Sequence, residues 1–328
     1  MTGTTPAGAS EAGATGAGSS EVGSSEIRFR AMGTACHLIV TGGPDGLLDT
    51  LRQRVDELDA RWSRFRPDSE VSRLNTSPEI FVPVSNDTLT LVRRGIQGWM
   101  QTAGVFDPTL LGPLIRAGYD RDFDEVTARP ALGRSDLGSG CAGIVIRDGA
   151  VRLPAGIGFD SGGLGKGLAA DLIALQAVRA GAGGACINLG GDIRVTGTGP
   201  EEAGWTASVD HPGLESPLAL VGLADGGMAT STTLLRRWSV DGAHMHHLID
   251  PATGLPSTGA VEFATVIAAE AWLAEVLTKA VVLSQSPEPL SALRGTGAEG
   301  LVVTSDGRVS ASAGFGAFLG DARLPERI

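Results

Sequence analysis

The chain has 328 residues, 42% of them hydrophobic, enough for a sizeable core in one large domain or two intimate ones. A formal net charge of −11 argues against a nucleic-acid partner, because phosphate backbones are held by basic surface. It does not exclude a small anion in a local pocket. The three cysteines (Cys36, Cys141, Cys186) form no close pair, so neither a zinc site nor a disulfide framework is suggested, and buried free thiols are expected.

Residues 1–25 are dominated by Gly, Ala, Ser, Thr and Glu and carry no Lys or Arg. That composition predicts a disordered tail ahead of a folded 26–328 domain. It lacks the positive and apolar regions of a secretory signal, and no later run approaches the roughly 20 apolar residues of a membrane span. A cytoplasmic protein without membrane insertion is the expectation. From Ile27, IRFRAMGTACHLIVTG reads as a strand interrupted at Gly33. From Leu47, apolar positions at Leu51, Val55, Leu58, Trp62 and Phe65 predict an amphipathic helix. It ends near the polar loop RFRPDSEVSRLN, where Pro67 blocks continuation.

A second helix is predicted over Asp87–Thr102, capped by Ser85 or Asn86 and ended by Gly104. VFDPTLLGPLIRAGYD reads as a loop turning into a short helix, and residues 120–140 as a linker. IVIRDGAVRLP predicts a hairpin, since Asp148-Gly149 suits a two-residue type I′ turn. Asp241-Gly242 and Asp306-Gly307 repeat that signal. Between Ile157 and Asp192, an apolar run ends at Asp160, a glycine-rich turn carries Lys166, and a helix over 164–180 stops at Gly181. A second apolar run then ends in Gly190, Gly191 and Asp192. Glycines admit a ligand close to the backbone, and the helix N-terminus offers N–H groups to an anion. One lysine and two flanking aspartates suit a phosphate-bearing ligand, with or without a metal. Two tight turns joining strand, helix and strand would give the same pattern. Strands dominate from Ala185 to Ala268, and a helix follows over Glu270–Leu283. The mixture with antiparallel hairpins indicates an α+β fold, not a doubly wound parallel sheet.

Two nucleotide-binding patterns fail on context. Gly138, Gly140 and Gly143 fit G-x-G-x-x-G, but a hairpin follows them where a helix is required. GGLGKG lacks the Ser or Thr of a P-loop after Lys166. In AHMHHLIDPATGLPS, His244 and His246 share one face of a strand and His247 the other, so only two could share a metal. Asp250 opens a tight loop and Asp107 precedes a short helix. Each could simply cap the turn that follows.

Taken together, these segments resemble the ApbE family of FAD:protein FMN transferases. The resemblance rests on MGT (Met32–Thr34), SRFRPDSEVSRLN (Ser63–Asn75), FDPT (Phe106–Thr109) and DSGGLGKGLAAD (Asp160–Asp171). It continues through NLGGD (Asn188–Asp192), ATS (Ala229–Ser231) and HHLIDPATGLP (His246–Pro256), so it spans about residues 28–320. It implies a mixed α/β core with T-fold-like character. The implied reaction is magnesium-dependent: a Thr or Ser hydroxyl of an acceptor protein attacks FAD, FMN is attached and AMP leaves. By family position, Met32, Phe65, Val105, Phe106 and Asp107 line the nucleotide pocket. Asp160, Gly163 and Lys166 lie beside ribose and phosphates, with Gly190, Gly191 and Asp192 on the neighbouring turn. His247 and Leu248 meet the flavin or pyrophosphate. His247 and Asp250 are the catalytic candidates, and the Gly163 carbonyl is the expected metal ligand.

The chain departs from the family at the metal pair. Where A-D-x-x-x-T is usual, it has AEVLTK, so Glu275 replaces the Asp and Lys279 falls at the Thr position. Thr278 is one residue early, about 100° away on a helix. Either Glu275 reaches the ion with its longer arm, or the Lys279 ammonium pairs with Glu275 and partly replaces the cation. Weaker magnesium binding than usual is the expectation. Phe65 stands where Tyr is common, and Thr232 follows Ser231 where Gly is usual, which narrows the pocket. The altered pair leaves two alternative functions open: a non-catalytic FAD-binding protein, or an FAD pyrophosphatase giving FMN and AMP. Acceptors in the family carry a D-x-x-[ST]-G-[AS]-T-like segment. This chain shows none, so a separate FMN-accepting protein is the implied partner.

Overall fold

The computed structural model describes residues 23–121, 123, 126, 140–200 and 204–328. The predicted tail therefore falls almost wholly outside the described residues, as does most of the 120–140 linker. Ser24 and Ser25, assigned to the tail by composition, already belong to the first strand.

Eight strands form one sheet, and they lie side by side in chain order. They are β1 (Ser24–Ala31), β2 (Thr34–Gly42), β3 (Ala182–Leu189), β4 (Asp192–Gly197), β5 (Gly226–Thr232), β6 (Val261–Ala268), β7 (Glu299–Thr304) and β8 (Val309–Ala311). Every neighbouring pair is antiparallel, as an α+β reading requires. The stretch expected as one interrupted strand is a hairpin. Met32 and Gly33 both take positive φ (51° and 67°), the conformation of a two-residue type I′ turn. The same geometry occurs at Asp148-Gly149 and Asp241-Gly242. At Asp306-Gly307 only the glycine has positive φ, and the turn between β7 and β8 is longer.

Among the described residues, six α-helices are inserted between the strands. α1 (Leu47–Trp62) buries Leu47, Leu51, Val55, Leu58 and Trp62, one apolar stripe at spacings of four and three. Phe65 lies beyond its end. Residues 70–76, expected as loop, form α2 (Glu70–Thr76), because the Ser69 hydroxyl accepts the Ser72 N–H and starts a helix within a polar segment. α3 (Asn86–Gln101) is capped by Ser85, as expected. α4 (Leu111–Arg116) is the short helix after FDPT.

α5 (Gly165–Arg179) and α6 (Ala271–Val282) pack on one face of the sheet and against each other. Strand alternation supplies the two apolar faces. Leu38, Val40, Ile187 and Leu189 meet the helices, while Ile193, Val195, Met228, Phe263 and Leu301 meet the hairpin at 205–223 on the other side. Each fully buried Leu, Ile, Val or Phe contributes about 1.5–3 kcal/mol. α6 is buried nearly all round, so Glu275, Thr278 and Lys279 are polar groups held inside the molecule and require partners there. Its first turn is capped from a distance: Asp171 on α5 accepts the N–H groups of Ala271 and Trp272, both at 2.9 Å. Burial pushes the Asp171 carboxyl up to about 7. Burial likewise raises the Cys36 thiol to about 11 and those of Cys141 and Cys186 to about 12, leaving inert free thiols. Cys186 is only half-buried.

Candidate functional site

A cleft of about 360 Å³ opens where the N-terminus of α5, the loops after α1 and α3, and the segment at 247–249 converge. Among the sequence candidates, Met32, Phe65, Val105, Phe106, Asp107, Asp160, Gly163, Lys166, His247, Leu248 and Lys279 line it. Residues more than 240 positions apart thus meet because α5 and α6 cross against the same sheet. A larger groove, about 890 Å³, lies between residues 287–294 and the β7–β8 edge. Its lining holds neither a lysine nor an aromatic ring, so the first cleft is the better ligand site.

One wall of the cleft is aromatic. Phe65 and Tyr119 have ring centroids 5.9 Å apart, and Tyr119 lies 5.6 Å from Trp238. The Arg64 guanidinium sits 4.2 Å from the Phe65 ring centroid and 4.6 Å from that of Tyr119, while its Nε pairs with Asp160 at 3.1 Å. Arg64 Nη2 is buried and has no protein partner. Tyr119, the only tyrosine of the chain, places a phenol ring beside Phe65. Sequence reasoning missed Arg64, Tyr119, Trp238 and Arg236. Arg64 lies inside the Ser63–Asn75 motif but carried no role there, and the uniqueness of Tyr119 was its only signal.

The floor is built from close approaches. A Cβ on Gly163 would come 2.8 Å from the Phe106 ring, so only glycine lets the turn settle there. Asp107 Oδ1 accepts from the Thr109 N–H at 2.8 Å and its hydroxyl at 2.5 Å, whereas the buried Oδ2 has no partner. Asp107 therefore fixes its own turn, not the N-terminus of α4, and keeps one acceptor spare.

The charged end is a closed cluster. Lys166 Nζ lies 2.5 Å from Asp192 Oδ2 and donates to Glu275 Oε1 at 2.7 Å. Lys279 Nζ reaches the same Oε1 at 3.4 Å, and the Gly167 N–H donates to Oε2 at 2.8 Å. Burial opposes every charge here, and the neighbours override it at Lys166 and Glu275 but not at Asp192 and Lys279. The two carboxylates hold Lys166 charged, with its pKa raised. The two ammoniums hold Glu275 ionised, below its ordinary range. Burial and the adjacent Glu275 push Asp192 up to about 6. Burial also lowers Lys279, against the pull of Glu275 and Asp192. Thr278 turns away, as helix geometry requires, and its hydroxyl lies 2.8 Å from Ser231 Oγ.

His247 faces the cleft with Nδ1 buried and unpartnered. Burial and the nearby cations Arg236 and Lys279 hold its pKa well below the usual value, so its imidazole is neutral. The three neighbouring histidines do not gather. His246 Nε2 lies 2.9 Å from the Ser257 carbonyl and its Nδ1 accepts the Leu248 N–H, while His244 is exposed. Asp250 stands outside the cleft lining and accepts the Ala252 N–H, acting as the loop cap that was its alternative role. Gly190 and Gly191 form the β3–β4 turn outside the lining, and Asp192 reaches the site only through Lys166.

The ApbE family profile matches residues 32–301. The chain belongs to the ApbE family. A relative from Vibrio cholerae described as an FAD:protein FMN transferase is 29% identical over 251 residues, covering 72% of this chain and 74% of its own length. One from Treponema pallidum with the same description is 28% identical over 274 residues, with 77% and 75% covered. The crystal structure of an ApbE protein from Thermotoga maritima superposes with a TM-score of 0.80 at 25% identity, covering 90% of this chain and 99% of that one. The flavin transferase ApbE of Vibrio cholerae gives 0.75 at 23%, over 90% and 100%, and shares the fold.

The magnesium implied by the family finds a poor donor set in this ApbE chain. Both oxygens of Glu275 are already engaged, and an ammonium, which has no lone pair to give, stands at the second ligand position. Magnesium requires near-octahedral oxygen ligands. At an effective dielectric near 20, a divalent ion about 4 Å from an ammonium is repelled by roughly 8 kcal/mol. Among the described residues no group of three or more His, Cys, Asp and Glu is placed to hold a metal. Of the expected ligands Gly163, Glu275 and Lys279, the lysine offers no lone pair and Glu275 no unengaged oxygen to a magnesium ion.

Proposed function

We propose that this ApbE chain is an FAD:protein FMN transferase. The observation that carries the reading is one cleft holding a stacking wall, a cationic floor at a helix N-terminus and an unpartnered histidine nitrogen. The isoalloxazine fits against Phe65 and Tyr119, because flat aromatic ligands bury area between rings. The diphosphate lies over the α5 N-terminus, where the helix dipole, Lys166 and Arg236 favour an anion. The relatives' shared description supports FAD as the dinucleotide and a second protein as acceptor.

In the reaction, a Ser or Thr hydroxyl oxygen of the acceptor forms a bond to the phosphorus on the riboflavin side. The bridging P–O bond breaks and its electron pair leaves with AMP. The hydroxyl proton passes to His247 Nδ1, which is neutral and has no competing protein partner. Buried Asp107 Oδ2 and Arg64 Nη2 supply one acceptor and one donor for the flavin or ribityl chain.

The test is incubation with FAD and a protein fragment bearing a D-x-x-T-G-A-T segment. AMP release with a matching mass gain on the Thr supports transfer. AMP and free FMN without a labelled fragment indicate a pyrophosphatase, and flavin binding without AMP indicates a storage protein.

A further inference from the structure

The cluster beneath the cleft contains the buried Glu275, Asp192 and Lys279 and the half-buried Lys166, linked through Lys166 and Glu275. Glu275 Oε1 receives both ammoniums, Lys166 at 2.7 Å and Lys279 at 3.4 Å. Both lysines also line the cleft, so each keeps an edge toward a ligand. Lys279 is fixed by its place on α6 four residues after Glu275, the favourable order for an intrahelical pair. Gly167 holds the other carboxylate oxygen through its N–H, so Glu275 cannot swing out to a metal without abandoning three partners.

We propose that this cluster is a built-in replacement for a divalent cation: the Lys166 and Lys279 ammoniums, spaced by Glu275, bind the diphosphate of the dinucleotide directly, and the chain needs no magnesium to do so. Three features support this. The ammoniums are pre-positioned, so binding requires no reorganisation. Glu275 balances their charge in the empty cleft, which explains how two cations persist in a buried place. Arg236 lines the same cleft and adds a third cation facing the ligand. Lysine binds phosphate as a point charge, which suits a mobile diphosphate better than a rigid fork does.

The inference rests on the flavin reading of the cleft, and the test separates the two. FAD is titrated into the purified full chain with flavin fluorescence as the readout, once in EDTA and once in excess magnesium. The expected result is the same dissociation constant within about threefold in both. Magnesium titrated alone, followed by calorimetry, should give no saturable heat. The paired substitution Glu275→Asp with Lys279→Thr restores the oxygen ligands the family usually carries. It should lose about tenfold or more of FAD affinity in EDTA and regain it with magnesium. Circular dichroism checks that this variant folds, and the wild-type comparison stands without it. FAD binding that appears only with magnesium overturns the inference and leaves the flavin reading intact. No FAD binding in either buffer overturns both.

Discussion

Replacing Gly167 by alanine should damage the site without touching any ligand contact. A Cβ there would lie 2.4 Å from the Ala271 carbonyl oxygen, 2.6 Å from its carbon and 2.8 Å from Trp272 Cα. These are backbone atoms at the start of α6, so no side chain can rotate away. Ordinary carbon contacts begin near 3.5 Å, so α5 and α6 must separate by about 1 Å. Overpacking of this kind costs about 1–3 kcal/mol. The separation also weakens the Gly167 N–H bond to the Glu275 carboxylate, worth about 1.5–3 kcal/mol because the acceptor is charged. Alanine's better helix propensity returns up to about 1 kcal/mol. The net loss is roughly 2–4 kcal/mol, a fall in melting temperature on the order of 3–6 °C for a chain of this size. Scanning calorimetry reads the stability, and FAD titration reads the displaced Lys166–Glu275 pair. Gly316→Ala, whose new methyl meets nothing within 4 Å, is the control and should stay within about 0.5 kcal/mol of wild type. A Gly167→Ala protein that melts with the wild type and binds FAD equally well would refute the helix-crossing argument.

Other outcomes follow from the same geometry. His247 has a depressed pKa, so its neutral form persists below pH 6.5 and proton acceptance is lost only as pH falls through that lower value. The transfer rate should stay flat from about pH 8 to 6.5, and an acid limb centred above 6.5 would remove His247 from that role. Arg64→Met should raise the FAD dissociation constant by about tenfold or more, since it removes the cation between Phe65 and Tyr119 and the partner of Asp160. An unchanged constant would place the flavin elsewhere. Asp171→Ala leaves the first two N–H groups of α6 uncapped and should cost about 1–2 kcal/mol in urea unfolding. Because burial raises the Asp171 pKa to about 7, its ionisation opposes folding. Its contribution is fully present below its unfolded value near 4 and is lost as pH rises toward 7. Chemical unfolding of Asp171→Asn, which cannot ionise, should therefore show a smaller decline in stability between pH 4 and 7 than wild type. A steeper decline would contradict that sign.

Much of this was readable from residues, and the exceptions have physical causes. Helices with an apolar stripe, such as α1, declared themselves through periodicity. The Asp-Gly turns at 148 and 241 announced hairpins because positive φ selects those residues. Met32-Gly33 escaped because methionine, unlike aspartate or asparagine, is not a residue that positive φ selects. α2 escaped because seven largely polar residues carry no period, and its only sign was the Ser69 cap. The motifs located the cleft, but they could not distinguish Asp107 and Asp192, which reach it, from Asp250, which closes a neighbouring loop. Spacing in sequence does not report which way a turn faces. The Glu275–Lys279 substitution was visible as a pattern. Its joining to Lys166 and Asp192 was not, because that depends on where α5 crosses α6. Arg64 and Tyr119 became site residues only when the loops after α1 and α4 came together.

Hydrogen exchange with and without FAD tests the central claim most directly, since it reads where the dinucleotide sits whether or not turnover occurs. Slowed exchange should appear at 64–66, 105–107, 161–167 and 247–249, with no change across 287–312. Protection confined to the groove at 287–312, or none at saturating FAD, would contradict a flavin cleft over the α5 N-terminus.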